Sequence, residues 1–157
     1  MSNVTVRPIE VRDRAAWRLL WDAYNAFYGR SGATALPVEI TETTWARFFD
    51  VDEPVYALVA DEGGGRLIGL VHYLFHPSTT AITPVCYLQD LFIEESARGR
   101  GVGGALIRKV YERARAAGSL RVYWQTHETN KRAMRLYDQV AVKSGFLVYR
   151  KDLSGVE

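Results

Sequence analysis

Seven residues, Arg98-Gly99-Arg100-Gly101-Val102-Gly103-Gly104, hold four of the chain's thirteen glycines. An apolar run from Val85 to Ile93 precedes them, and an amphipathic stretch from Ala105 to Ala117 follows. A glycine-rich turn that opens a helix exposes backbone N–H groups at the positive end of the helix dipole, which suits phosphate or pyrophosphate. Glycine lets a ligand approach the backbone because no Cβ intervenes. Arg98 and Arg100 add charge-assisted donors. The stretch therefore predicts a site for a phosphorylated ligand.

The elements that must position this loop follow from periodicity and breakers. Val4 to Arg7 reads as a strand stopped by Pro8. Asp13 is the expected cap of a helix running to about Phe27, where Ala16, Trp17, Leu20, Trp21, Tyr24 and Phe27 recur at helical spacing. Thr41 to Phe49 reads as a shorter helix capped by Thr41, and residues 29–40 as a polar connection covering the site. Val55 to Ala60 and Arg66 to Phe75 read as strands paired around Gly63-Gly64-Gly65. Val85 to Ile93 is a further strand, and the helix after the glycine loop runs to about Ala117, closed by Gly118. Arg121 to Thr126 is rich in aromatic and β-branched residues and reads as a strand. Asn130 to about Val142 is a helix and Phe146 to Leu153 a last strand. The order β, α, α, β, β, β, α, β, α, β predicts a mixed α/β fold, a central sheet with helices on its faces.

The 157 residues fit one domain, 1–157, with no repeat or linker. Hydrophobic residues make up 48% and charged residues 24%, and the net charge of +2 is too small to argue for nucleic acid. The single cysteine, Cys86, forms no internal disulfide and fits a reducing compartment. No signal-like run opens the chain and no stretch approaches the roughly 20 apolar residues of a membrane span. The expectation is a cytoplasmic protein with no membrane and no nucleic-acid partner.

Three phosphate ligands compete for the loop. A Walker loop needs Lys then Ser or Thr after the last glycine, and Ala105-Leu106 stand there instead. Gly99-x-Gly101-x-x-Gly104 satisfies a dinucleotide fingerprint, but the next strand ends in Gln125-Thr126 rather than an acid. Strands of antiparallel character before the loop are also unlike that fold. The third ligand is coenzyme A. Arg98-x-x-Gly101-x-Gly103 resembles the Arg/Gln-x-x-Gly-x-Gly/Ala signature of the GNAT superfamily of acyl-CoA N-acyltransferases. Leu88-Gln89-Asp90-Leu91-Phe92-Ile93 looks like the strand before that signature, and Asn130-x-x-Ala133-x-x-Leu136-Tyr137 like the family's second cofactor motif. The resemblance covers about Tyr87 to Tyr149. Val122-Tyr123-Trp124, Leu136-Tyr137-Asp138 and Ser144-Gly145-Phe146 point within it to the branch of small-amine, D-amino-acid and histone/polyamine acetyltransferases.

The resemblance implies a GNAT-like fold with a mostly antiparallel sheet and a cofactor-binding half at about 85–142. It implies acetyl-CoA as co-substrate, no metal, and a small-molecule primary amine as acceptor. Backbone groups of Leu91, Phe92 and Ile93 would pair with the pantetheine arm as an added strand does. Backbone N–H groups of Arg98, Gly99, Arg100, Gly101, Val102, Gly103 and Gly104 would hold the pyrophosphate, with Asn130 hydrogen-bonded to the cofactor. Asn130 and Tyr137 lie nearly two helical turns apart, about 10 Å along one face. Tyr137 would protonate the departing thiolate; a phenol near pKa 10 can donate to a thiolate whose acid is near 8.5 when the site orients it. Asp90, Glu128, His127 and His72 are candidates for the base that takes the amine's proton, or for a relay through water. Related polyamine acetyltransferases carry an acidic pair on this strand, and Gln89 departs from it, leaving Asp90. Gln89, Tyr24 and Tyr28 are candidate substrate contacts.

Seven residues separate Tyr137 from Gly145, which extends the last helix and leaves the final strand to pair across a homodimer interface. The predicted activity is direct transfer of an acetyl group from acetyl-CoA to an amino-acid or polyamine type of amine in a ternary complex. Cys86 reads as a buried thiol, so no acyl-enzyme is expected. Other classes remain open: a protein lysine or N-terminal acetyltransferase, a non-catalytic CoA-binding regulatory module, and a dinucleotide-dependent oxidoreductase.

Overall fold

A computed structural model describes residues 3–155. By its internal contacts the chain divides into two compact units, one ending at Gln125 and one beginning at Thr126. The first holds a five-stranded sheet in sequence order: β1 (Thr5–Pro8), β2 (Val55–Asp61), β3 (Leu67–His76), β4 (Val85–Ile93) and β5 (Val122–Tyr123). All neighbours are antiparallel except β4 and β5, which run parallel. The mixed α/β class and the mostly antiparallel sheet agree with the sequence expectation.

Helices α1 (Arg14–Phe27) and α2 (Val38–Arg47) pack on one face and α3 (Val102–Ala116) on the other. Side chains alternate across a strand, which makes this assignment direct. His72 of β3 takes a hydrogen bond from Trp17 of α1, whereas a Cβ on Gly69, three residues earlier, would meet Leu106 of α3 at 3.2 Å. That same Cβ would lie 2.9 Å from Ile93 Cδ1 and 3.3 Å from the Phe92 carbonyl, so a side chain there would displace the Ile93 and Leu106 side-chain ends and crowd β4. Covered on both faces, β2 and β3 read as continuous apolar runs, with Leu58, Val59, Ala60, Leu70 and Val71 at most 1% exposed.

Several boundaries move. Helix α2 begins at Val38, three residues before the expected cap Thr41. Thr41 is buried and its Oγ1 accepts from Trp21 Nε1 at 3.0 Å, so it ties α2 to α1 instead of capping. Asp13 precedes α1 as expected but makes no side-chain cap; its carboxylate takes Arg7 and the Glu10 N–H. β1 runs through Pro8, which an edge strand tolerates. β5 shrinks from the expected Arg121 to Thr126 to two residues.

The second unit holds α4 (Lys131–Val140), two residues shorter than expected at its C-terminal end. Asn130 occupies the N-cap position without capping; its amide donates to Thr126 Oγ1 at 3.4 Å. The expected strand from Phe146 to Leu153 does not form. Residues 142–155 are exposed and outside regular structure, with Phe146 at 90% and Tyr149 at 93% exposure. Among the described residues no helix is long and apolar enough to cross a membrane.

Candidate active site

The glycine loop begins where β4 ends. A short 3-10 turn over Glu95–Ala97 leads into Arg98, and Gly99 and Gly101 sit at φ +78° and +80°. Gly101 is the N-cap of α3, and the first intrahelical bond runs from the Ala105 N–H to its carbonyl. The N–H groups of Val102, Gly103 and Gly104 thus begin the helix without an intrahelical acceptor. A Cβ at Gly99 or Gly101 would project into open space, the room an anion requires, at a backbone conformation L residues resist. This cradle fits a pyrophosphate held by backbone donors.

The two arginines of the loop are engaged within the fold. Arg98 donates from Nε to the Ile93 carbonyl at 3.0 Å and lies over the Phe92 ring, its Cζ 5.7 Å from the centroid. Arg100 Nη1 is 3.5 Å from Glu62 Oε2. The expected charge-assisted donors therefore brace the loop.

β4 changes character midway. It pairs with β5 only at Cys86↔Val122 and Tyr87↔Tyr123. From Leu88 onward its β5-side edge has no strand partner among the described residues, although the Ile93 carbonyl is taken by Arg98. The ladder to β3 slips at the same place: Tyr73 faces Leu88, but His72 faces Asp90, leaving Gln89 as the extra residue of a bulge. Because alternation has period two, that one residue moves Asp90 and Phe92 to the face opposite Leu88. They thereby join His72 beneath α1. Gln89, expected at the substrate, is exposed, and what the structure shows of it is this change of parity.

Four residues meet there. Tyr24 Oη donates to Asp90 Oδ1 at 2.6 Å, and His72 Nδ1 lies 2.9 Å from Asp90 Oδ2. Trp17 Nε1 donates to His72 Nε2 at 3.1 Å. Indole is a donor only, so His72 Nε2 must accept and its proton resides on Nδ1, directed at Asp90. The ring is wedged among Trp17, Trp21 and Phe48, with centroids 6.1, 5.3 and 4.8 Å away. Burial, then the Asp90 charge, push the Tyr24 phenol well above its ordinary value, so it stays a donor. Asp90 itself keeps 13% of its side chain exposed. Tyr28, the other expected substrate contact, packs edge-on against Tyr24 and is 43% exposed. A cleft of about 640 Å³ follows the outer flank of α1 at Leu19, Ala23 and Phe27 and takes in Phe92 and Arg98, but neither Asp90 nor Tyr24.

The remaining candidates are placed separately. Half-buried Tyr137 lies on α4 in the second unit, one helix with Asn130 at its start. His127 Nδ1 accepts from the Thr129 N–H at 3.2 Å, a turn before α4. Cys86 is fully buried, and burial pushes its thiol up to about 12. Sequence reasoning named His72 without its partner, because the bulge that pairs it with Asp90 leaves no mark in the apolar pattern.

A β4 strand open along one edge, a bulge that turns a carboxylate inward and a glycine-capped α3 together offer backbone donors for an anionic ligand beside an inward carboxylate. Residues 14–141 match the acetyltransferase (GNAT) family, and the chain belongs to it. It is an acetyl-CoA-dependent N-acetyltransferase. It is 39% identical over 152 residues to the D-amino-acid N-acetyltransferase HPA3 of Saccharomyces cerevisiae, covering 96% of this chain and 92% of that protein. It is 29% identical over 101 residues to a thialysine N-epsilon-acetyltransferase of Caenorhabditis elegans, covering 61% and 60%. The fold matches that of AAC(6')-Iy, solved with a CoA bisubstrate analogue, at a TM-score of 0.80 and 17% identity over 96% of this chain and 99% of that one.

Proposed function

We propose that the chain transfers the acetyl group of acetyl-CoA directly to the primary amine of a small molecule of amino-acid or polyamine type, in a ternary complex. The observation that carries this is Asp90, turned inward by the bulge and held by two neutral donors beside the open edge of β4. Similarity to a D-amino-acid and a thialysine acetyltransferase supports the acceptor class.

Acetyl-CoA supplies the thioester. Backbone N–H groups from Gly99 to Gly104 hold its pyrophosphate, the Arg98 N–H being taken by the Glu95 carbonyl, and backbone groups of Leu91 pair with the pantetheine arm, because those of Phe92 face β3 and the Ile93 carbonyl is engaged by Arg98. Asn130 adds a hydrogen bond. Asp90 orients the acceptor ammonium and receives its proton, directly or through water. The new C–N bond forms as the C–S bond breaks, and Tyr137 protonates the departing sulfur. The buried, protonated Cys86 supports direct transfer without an acyl-enzyme. The chain is a single N-acetyltransferase domain, 1–157, of the cytoplasm. The protein is a homodimer, a reading supported by the exposed apolar segment at 142–153, where Phe146, Leu147 and Tyr149 lack cover.

An acetyl-CoA assay over amine classes tests the activity, with turnover expected on small primary amines and intersecting initial-rate patterns for a ternary complex. Parallel patterns, or an acetylated enzyme trapped by mass spectrometry, would refute direct transfer. Tyr137→Phe is expected to lower kcat about 100-fold while acetyl-CoA affinity changes less than about twofold by calorimetry. A normal kcat would remove Tyr137 from the reaction.

A further inference from the structure

Arg30 follows α1, and it is the one charged residue between Asp22 and Glu39. Its Nε donates to Asn25 Oδ1 at 2.7 Å and its backbone N–H donates to the Asn25 carbonyl at 2.8 Å, which fix where the guanidinium lies. The guanidinium sits over two rings, with Cζ 5.8 Å from the Tyr24 centroid and 5.5 Å from the Tyr28 centroid. Asn25 is itself buried, and its Nδ2 donates back to the Trp21 carbonyl at 2.9 Å. Among the described residues no carboxylate or carbonyl takes the Nη groups, so the fork that binds carboxylates in pairs is left open.

The same Tyr24 ring carries Asp90 at its other end. Its hydroxyl donates to the carboxylate, while the guanidinium covers its face. Burial first, then the Asp90 charge, push the Tyr28 phenol up, and the Arg30 charge pulls it back, so both charges act on this aromatic wall. A carboxylate and a guanidinium thus address the same ring, one at its hydroxyl and one over its face. An α-amino acid carries an ammonium for the carboxylate and a carboxylate for the guanidinium within one short molecule. A polyamine has nothing to offer the guanidinium and is repelled by it.

We propose that Arg30 binds the substrate's carboxylate while Asp90 receives its ammonium group, so that Tyr24 and Tyr28 wall a site for a zwitterionic α-amino acid. This rests on the reading of the chain as a small-amine acetyltransferase and narrows its acceptor class. Arg30 is then a specificity-determining residue.

The test compares the full chain with Arg30→Gln and Arg30→Lys, on an α-amino acid, its primary amide and a diamine. The wild type is expected to favour the amino acid over the amide by about 10- to 100-fold in kcat/KM, the range of a charge-assisted hydrogen bond. In Arg30→Gln that ratio collapses, chiefly through KM for the amino acid, and Arg30→Lys restores part of it. Equal losses on acid and amide, or a wild type that prefers the amide or the diamine, would overturn the proposal. If no amine is turned over, the acetyl-transfer reading fails, and calorimetry with the amino acid alone still decides Arg30. Binding that is lost in Arg30→Gln supports the role; equal affinity, or no binding to the wild type, rejects it.

Discussion

Asp13 and Asp90 are both largely buried carboxylates that take two side-chain groups, and they are set up for opposite ends. Asp13, with 2% of its side chain exposed, accepts from Arg7 Nη1 at 2.8 Å and Nη2 at 2.9 Å, and from the Glu10 N–H at 2.7 Å. Arg7 also reaches Asp61 Oδ2 at 3.0 Å, so the clamp joins β1, β2 and the entry to α1. Its charge is met by a fixed cation, and three donors occupy its two oxygens. Asp90 takes only neutral donors, Tyr24 and His72, and no Lys or Arg among the described residues pairs with it. Its negative charge is oriented but not cancelled. A carboxylate in that state suits an incoming ammonium, whereas Asp13 is complete without a ligand.

The sharpest way to break this contrast is to remove each charge. Asp90→Asn should lower kcat/KM about 10²- to 10³-fold and cost only about 1 kcal/mol in urea unfolding. A variant that unfolds easily but turns over normally would make Asp90 a second Asp13. Arg7→Met should do the reverse, losing about 3 kcal/mol because the buried Asp13 carboxylate is left without its cation, with kcat retained in the folded fraction.

Acid sharpens the clamp further. Hydrogen bonds from Arg7, foremost, hold the Asp13 carboxyl below its ordinary value against the opposing pull of burial. A group depressed by folding contributes stability above its unfolded value and loses it as pH falls through the folded one. Wild-type stability should therefore drop as pH falls below about 4, and Arg7→Met should lose that part of the slope in melts across the acid range. The smallest effect is expected at His72. His72→Phe leaves Trp17 Nε1 without its acceptor, for about 1–3 kcal/mol, and frees one oxygen of Asp90, for about a tenfold loss in kcat. A loss of stability with kcat intact would make His72 a part of the core alone.

Much of the scaffold was legible in the chain. The bounds of β4, the glycine turn into α3 and the 63–65 hairpin follow from signals that act within a few residues, namely apolar runs, breakers and glycines at positive φ. The misread positions share a cause. Asp13 and Thr41 have the right residue types for caps, yet their side chains serve Arg7 and Trp21, partners that only packing brings near. Phe146 to Leu153 has strand composition yet lies outside regular structure, which composition alone does not decide. At the site, Asp90 was named from its position on β4, but its donors stand 66 and 18 residues away and reach it only because of the bulge.

Local spacing by itself determined the order of elements as far as α4 and the glycine cradle at the start of α3, and the family followed from the resemblance of its motifs. These depend on backbone conformation and periodicity, which neighbouring residues set. The tertiary structure alone decided which face of β4 Asp90 occupies, which proton His72 carries and where Arg30 lies. One bulged residue reverses side-chain parity, and only folding places an indole N–H against an imidazole or a guanidinium over two phenols.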